Sequence, residues 1–137
     1  GREQEAAMWL GRIGFDRVLG YLRDGMLALE KRPDLVGRVA RITARDLREW
    51  SGDPLCVLDV RTASEREEAF IEGSETIPLN RLSGDVEEVP QDRPVVVYCA
   101  GGYRSSIAVS LLMQRGIQVY DLVGGMASWQ ATSEAAG

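Results

Sequence analysis

The segment Pro94-Val95-Val96-Val97-Tyr98 is apolar at every position, and Leu55-Cys56-Val57-Leu58-Asp59-Val60 is nearly so. Runs without alternation read as strands buried on both faces of a parallel sheet. Ile117 to Leu122 reads as a third strand, and Val39 to Ile42 as a shorter one. Helical patterns lie between them. Thr43 can cap a helix from Ala44 to Trp50. Ser64 can cap another through Ala69, with Glu67 completing a capping box. Ser105 to Arg115 reads as a helix ended by Gly116, and Met126 to Ala131 as a last helix. Ile77-Pro78-Leu79 is a short extended piece. This alternation predicts an α/β domain with a mostly parallel sheet. Residues 1–32 form a separate unit, a helix from Glu5 to Leu10, a strand from Arg17 to Leu22 and a helix from Asp24 to Lys31 stopped before Pro33. Residues 33–38 are a linker candidate.

One residue stands at a chemically loaded junction. Cys99 ends the apolar run at Tyr98 and opens a short loop, Ala100-Gly101-Gly102-Tyr103-Arg104, before the helical pattern at Ser105. A helix N-terminus favours negative charge, and glycines let successive backbone N–H groups turn inward as an anion nest. A thiol placed there is expected to ionise readily and to serve as a nucleophile or sulfur carrier. The backbone from Ala100 to Ser105 is the candidate anion-binding loop. Ligands of parallel sheets bind at the carboxyl ends of strands, where both Asp59 and Cys99 fall.

Composition narrows the chemistry. The 137 residues carry no histidine, which removes Cys-His and Ser-His-Asp catalysis within the chain and most zinc sites. No metal or cofactor is expected. A net charge of −5 argues against nucleic-acid binding, and no apolar stretch is long enough to span a bilayer. The two cysteines, Cys56 and Cys99, cannot make a secreted disulfide framework. They point to a reducing compartment, and a cytoplasmic location is expected. Cys56 reads as a small core residue, and Trp50, Met126 and Trp129 as core anchors. The run Glu65-Arg66-Glu67-Glu68 reads as a solvated helix face.

From about Ile42 to Gln130 the chain resembles the rhodanese family of sulfurtransferases. The resemblance is carried by Val57-Leu58-Asp59-Val60-Arg61, by Phe70-Ile71-Glu72-Gly73 with Ile77-Pro78-Leu79, by Val96 to Ser105, and by Leu122-Val123-Gly124-Gly125-Met126-Ala127-Ser128-Trp129. Family members often carry histidine where this chain has Phe70. The resemblance implies a rhodanese-like three-layer fold, with helices on both faces of a mostly parallel sheet, over residues 39–137. It implies that Cys99 takes a sulfane sulfur from thiosulfate or a low-molecular-weight persulfide and passes it to a thiol or cyanide. Arg104 would bind the anionic donor or brace the loop, Tyr103 would wall the pocket, and Asp59 and Arg61 would support or line it.

Gly14-Phe15 followed by Leu22 to Met26 echoes Gly116-Ile117 followed by Leu122 to Met126. Residues 1–38 are therefore expected to hold the tail of a preceding rhodanese-like domain plus a linker. The chain opens at Gly1, which fits a fragment of a longer protein. The arrangement is similar to bacterial proteins in which a metallo-β-lactamase-fold hydrolase precedes tandem rhodanese domains, so such a hydrolase is an expected covalently linked partner. Without their parent core, residues 1–32 could also promote a homodimer. Two other functions compete. One is a non-catalytic rhodanese-like binding or regulatory module. The other is a cysteine phosphatase or arsenate reductase, whose signature places five residues between Cys and Arg. Here four residues separate Cys99 from Arg104.

Overall fold

The computed structural model describes residues 1–12 and 17–134, in two compact units, Gly1–Arg38 and Val39–Gly137. The first unit holds helix α1 (Glu3–Arg12) and two short 3-10 turns at Gly25–Leu29 and Pro33–Leu35. None of its described residues is buried. The strand expected from Arg17 to Leu22 is absent among the described residues, and the helix expected from Asp24 is only the first of these turns. Isolated short helices are marginal without a packed apolar face. The echo residues Gly14 and Phe15 lie outside the described residues.

The second unit alternates strand and helix: β1 (Ala40–Ile42), α2 (Ala44–Arg48), β2 (Cys56–Asp59), α3 (Ala63–Glu68), β3 (Glu75–Thr76), α4 (Leu79–Leu82), β4 (Val95–Tyr98), α5 (Tyr103–Met113), β5 (Val119–Leu122) and α6 (Gly125–Glu134). Every strand pair is parallel, and the order across the sheet is β1-β5-β4-β2-β3. The most apolar strand, β4, is thus the middle one, and Cys99 follows its carboxyl end.

Period-two alternation divides β4 between two cores. Val95 and Val97 join Leu58, Leu82, Ala108, Val109 and Leu112 on one face. Val96 and Tyr98 join Leu47, Ile71, Leu122 and Met126 on the other. Both faces are covered by helices, which is why the strand shows no polar side. Thr43 caps α2 with a full capping box to Asp46. The cap of α3 is Thr62 with Glu65, not Ser64 with Glu67. Both choices fit the same spacing, and it is Thr62 and Glu65 that make the reciprocal bonds, Glu65 N–H to Thr62 Oγ1 and Thr62 N–H to Glu65 Oε2. Trp50 is 36 % exposed and stacks edge-on with Tyr120, so it is a surface residue and not a core anchor. Met126 is buried and Trp129 packs partly buried against the second core. Among the described residues no helix is long and apolar enough to cross a membrane.

Candidate active site

The loop after β4 is held from both sides. Gly102, at φ +100°, caps α5, which begins at Tyr103 and not at Ser105. Tyr103 and Arg104 therefore lie in the first helical turn. On the other side α6 clamps the loop from its own N-terminus. Met126 N–H donates to the Cys99 carbonyl at 2.8 Å, and Ala127 N–H to that of Ala100 at 3.1 Å. Free N–H groups of a first turn need partners, and here the loop supplies them. The close approach requires glycine at 125: its φ is +55°, and a Cβ there would strike the Cys99 carbonyl oxygen. Gly125→Ala is expected to destabilise the domain by about 1–3 kcal/mol and to shift the loop. Urea unfolding reads the first effect, and the Cys99 alkylation rate the second.

Cys99 is nearly enclosed, with 1 % of its surface exposed. Its Sγ accepts the Gly102 N–H at 3.1 Å. Burial pushes the thiol up, but hydrogen bonding by the Ser105 backbone and hydroxyl and by the Gly102 and Gly101 N–H groups outweighs it, and the net shift is downward. Donors aimed at the charged form lower a pKa even in a buried place.

Arg104 makes a bidentate pair with Glu65 of α3, at 2.6 and 2.7 Å. The charge run at Glu65 is thus no mere solvated face. That pair and the Thr62 cap together hold the Glu65 carboxyl down at about 2. Both side chains are about one-third exposed, at 33 % and 31 %, so Glu65→Gln is expected to cost no more than about 1 kcal/mol. The folded value lies below the ordinary 4.5, so this contribution is full above that pH and fades as pH falls toward about 2. Urea unfolding should show the parent–variant gap at neutral pH closing in acid.

Asp59 and Arg61 form a buried ion pair at the carboxyl end of β2. Asp59 is wholly buried and takes two side-chain bonds from Arg61, at 2.7 and 2.9 Å, and one from the Tyr98 hydroxyl at 2.8 Å. Arg66 adds a longer contact at 3.4 Å. Burial raises the Asp59 carboxyl, but the Arg61 and Tyr98 bonds prevail and lower it. The remaining Arg61 donors go to the carbonyls of Ala69 and Glu65. Arg61 thus borders the site with its guanidinium already engaged.

Beside Ala100 lies a shallow cavity of about 320 Å³, lined by Arg61, Glu65, Ala69, Met126 and Gln130. A larger one, about 730 Å³, lies between Trp50, Arg93 and Tyr120, at the amino ends of β4 and β5, and holds none of these groups. Tyr103 is 85 % exposed and is not among the residues lining that smaller cavity. Cys56 pairs across the sheet with Val95, at the opposite end of β4 from Cys99. Four residues of strand separate them, about 13 Å. Burial, with Glu75 nearby, pushes the Cys56 thiol up to about 12. It is an inert core thiol. Among the described residues no group of His, Cys, Asp or Glu could hold a metal ion.

A sequence model described as the rhodanese-like domain matches residues 43–132. The chain belongs to the rhodanese family. A protein of Allochromatium vinosum named "Sulfurtransferase" is 35% identical over 78 residues, covering 56% of this chain and 73% of that one. A Mycobacterium tuberculosis protein named "Probable adenylyltransferase/sulfurtransferase MoeZ" is 38% identical over 93 residues, 64% of this chain. Those residues span only 24% of the M. tuberculosis protein, a larger chain. The crystal structure of a rhodanese-related protein from Thermoplasma volcanium superposes with a TM-score of 0.64 at 35% identity, covering 68% of this chain and 92% of that one. The rhodanese fold expected from the sequence is thus present, as a parallel five-stranded sheet with helices.

Two polar residues of this rhodanese domain escaped the sequence reading. Glu65 was signalled by its spacing from Thr62, a second capping-box solution. Asp121 was signalled by its place inside the apolar run from Ile117 to Leu122, where burying a carboxylate demands partners.

Proposed function

We propose that this domain is a sulfurtransferase working through a persulfide on Cys99. The observation that carries the reading is the enclosed Cys99 sulfur, facing backbone N–H groups that favour its anion. The Cys99 thiolate attacks the sulfane sulfur of thiosulfate or of a low-molecular-weight persulfide. A new S–S bond forms at Cys99, the donor's own bond to that sulfur breaks, and sulfite or a thiolate leaves. A thiolate or cyanide acceptor then attacks the outer sulfur, and Cys99 departs as thiolate. No outside oxidant or reductant is consumed. Ala100 to Ser105 cradle the anion, Arg104 attracts the donor while Glu65 fixes its direction, and Asp59 with Arg61 supports the loop from below. Relatives named as sulfurtransferases support this class of reaction.

The same proposal places the domain in a longer cytoplasmic protein. Residues 1–38 are the tail and linker of a preceding rhodanese-like domain, with a metallo-β-lactamase-fold hydrolase ahead of it. The internal echo supports the preceding rhodanese-like domain, and the fact that the chain spans about a quarter of the first curated relatives supports a longer protein. The exposed apolar residues Trp9, Leu19, Met26 and Leu27 of the first unit fit a face that another body covers, or a homodimer. Analytical ultracentrifugation showing a strict monomer removes the dimer.

Intact-protein mass after treatment with thiosulfate or glutathione persulfide tests the chemistry. A gain of one sulfur, sensitive to reductant and lost in Cys99→Ser, is expected. No adduct with either donor would favour the non-catalytic module. Steady Cys99-dependent phosphate release from an aryl phosphate would favour the phosphatase reading.

A further inference from the structure

Behind the thiol runs a line of polar groups that the transfer steps do not use. Cys99 Sγ lies 3.6 Å from Ser105 Oγ. Ser105 donates its hydroxyl proton to Asp121 Oδ1 at 2.6 Å. Asp121 Oδ2 accepts from Arg41 of β1 at 3.1 and 3.3 Å. Ser105 and Asp121 are 0 % and 1 % exposed. A carboxylate so deeply buried needs both of these partners to offset its desolvation.

A hydroxyl has one proton to give. With that proton on Asp121, the Ser105 oxygen faces sulfur as an acceptor. It can receive the thiol S–H but gives no hydrogen bond to the thiolate. In this arrangement the thiolate keeps the backbone N–H groups and forgoes the bond that a Ser105 hydroxyl turned to sulfur would add. We propose that Asp121 is a positioning residue for the Cys99 thiol: it holds the Ser105 proton away from sulfur, and Arg41 offsets its charge. This rests on the reading of Cys99 as the reactive sulfur. The consequence is a resting thiol restrained from ionising fully. That form is also the less easily oxidised one, because oxidation proceeds through the thiolate.

Asparagine reverses the polarity of this line within nearly the same volume. Its Oδ1 can accept from Arg41 while its Nδ2 donates to Ser105 Oγ. The Ser105 proton is then free to turn to sulfur. The other charged groups near the thiol stay as they are: Arg104 on α5 with Glu65 of α3, and Asp59 with Arg61 and Arg66.

The test is alkylation of Cys99 by neutral iodoacetamide in the whole chain, followed by peptide mass over a pH series. Peptide mass separates Cys99 from Cys56. Asp121→Asn is expected to lower the pH midpoint and to speed alkylation below it by about threefold, since a more acidic thiolate is also a weaker nucleophile. In a Ser105→Ala background the same change is expected to have at most about half that effect, because a single neutral hydrogen bond has been removed from the path. Arg41→Gln is expected to slow alkylation about twofold at low salt, fading as salt screens the exposed group. An unchanged or slower rate in Asp121→Asn overturns the proposal, as does an undiminished effect in the Ser105→Ala background. If Asp121→Asn does not fold, Arg41→Gln decides: slower alkylation supports the proposal, and the parent rate overturns it. Alkylation does not require sulfur transfer. Failure of the transfer reading and failure of this one are therefore seen separately.

Discussion

Cys99→Ser is expected to lower sulfur transfer from thiosulfate to cyanide by at least about a thousandfold, with the fold intact. The alkoxide of serine is not reached near neutral pH, whereas the Cys99 thiol is held on the acidic side of its ordinary value. The substituted oxygen is smaller than sulfur and still accepts the Gly102 N–H. The urea midpoint should therefore stay close to the parent's. Two measurements check this together, thiocyanate formation and circular dichroism during unfolding. Retained activity in a well-folded Cys99→Ser protein would remove Cys99 from the proposed mechanism. Cys56→Ser offers the contrast. Its thiol lies at the far end of the sheet, so transfer should persist in whatever fraction folds.

Asp59→Ala is expected to cost about 3–5 kcal/mol of stability, the usual result of leaving one member of a buried ion pair alone. Arg61 would keep the carbonyls of Ala69 and Glu65 as acceptors but lose its counter-charge. Tyr98 would keep Ser74 as a partner, so the damage concentrates at the guanidinium. The folded-state carboxyl of Asp59 lies below its ordinary 3.8. Its contribution is therefore fully present above that pH and is lost as pH falls through the folded value. The parent should lose stability in acid along this branch, and Asp59→Ala should lack it. Arg93→Ala breaks an exposed, solvent-screened pair with Asp92 and should leave stability close to the parent's. Urea unfolding at neutral and acid pH separates the two variants. Equal effects would mean that burial of the Asp59 pair does not govern its energetics.

The positions of Val95 to Tyr98, Leu58 and Leu122 were legible because burial on two faces leaves an apolar run with no alternation. The loop after β4 was legible because glycine, a strand exit and a helix start are local features. Where two local solutions competed, the pattern chose less well. Ser64 and Thr62 both offer a cap to α3 at the same spacing, and the reciprocal Thr62–Glu65 bonds show which one is used. Tyr103 and Arg104 read as loop because the glycine pair hides the earlier start of α5. Arg17 to Leu22 is apolar enough for a strand, yet among the described residues no neighbouring strand supplies the hydrogen-bonded partner that a strand requires.

Sequence alone determined the alternation of elements, the parallel sheet, the family, and Cys99 as the residue to watch. Each of these rests on periodicity or on residues close together along the chain. Tertiary structure decided which charges meet. Glu65 and Arg104 lie 39 residues apart, and Arg41 and Asp121 lie 80 apart. Tyr98 reaches Asp59 only because β2 and β4 pair in register there. A carboxylate in a sequence shows its charge but not its counter-ion, because partners over such separations are set by strand order and register. That is why the thiol was visible by reading along the chain, while the charged groups around it appeared only once the sheet had brought them together.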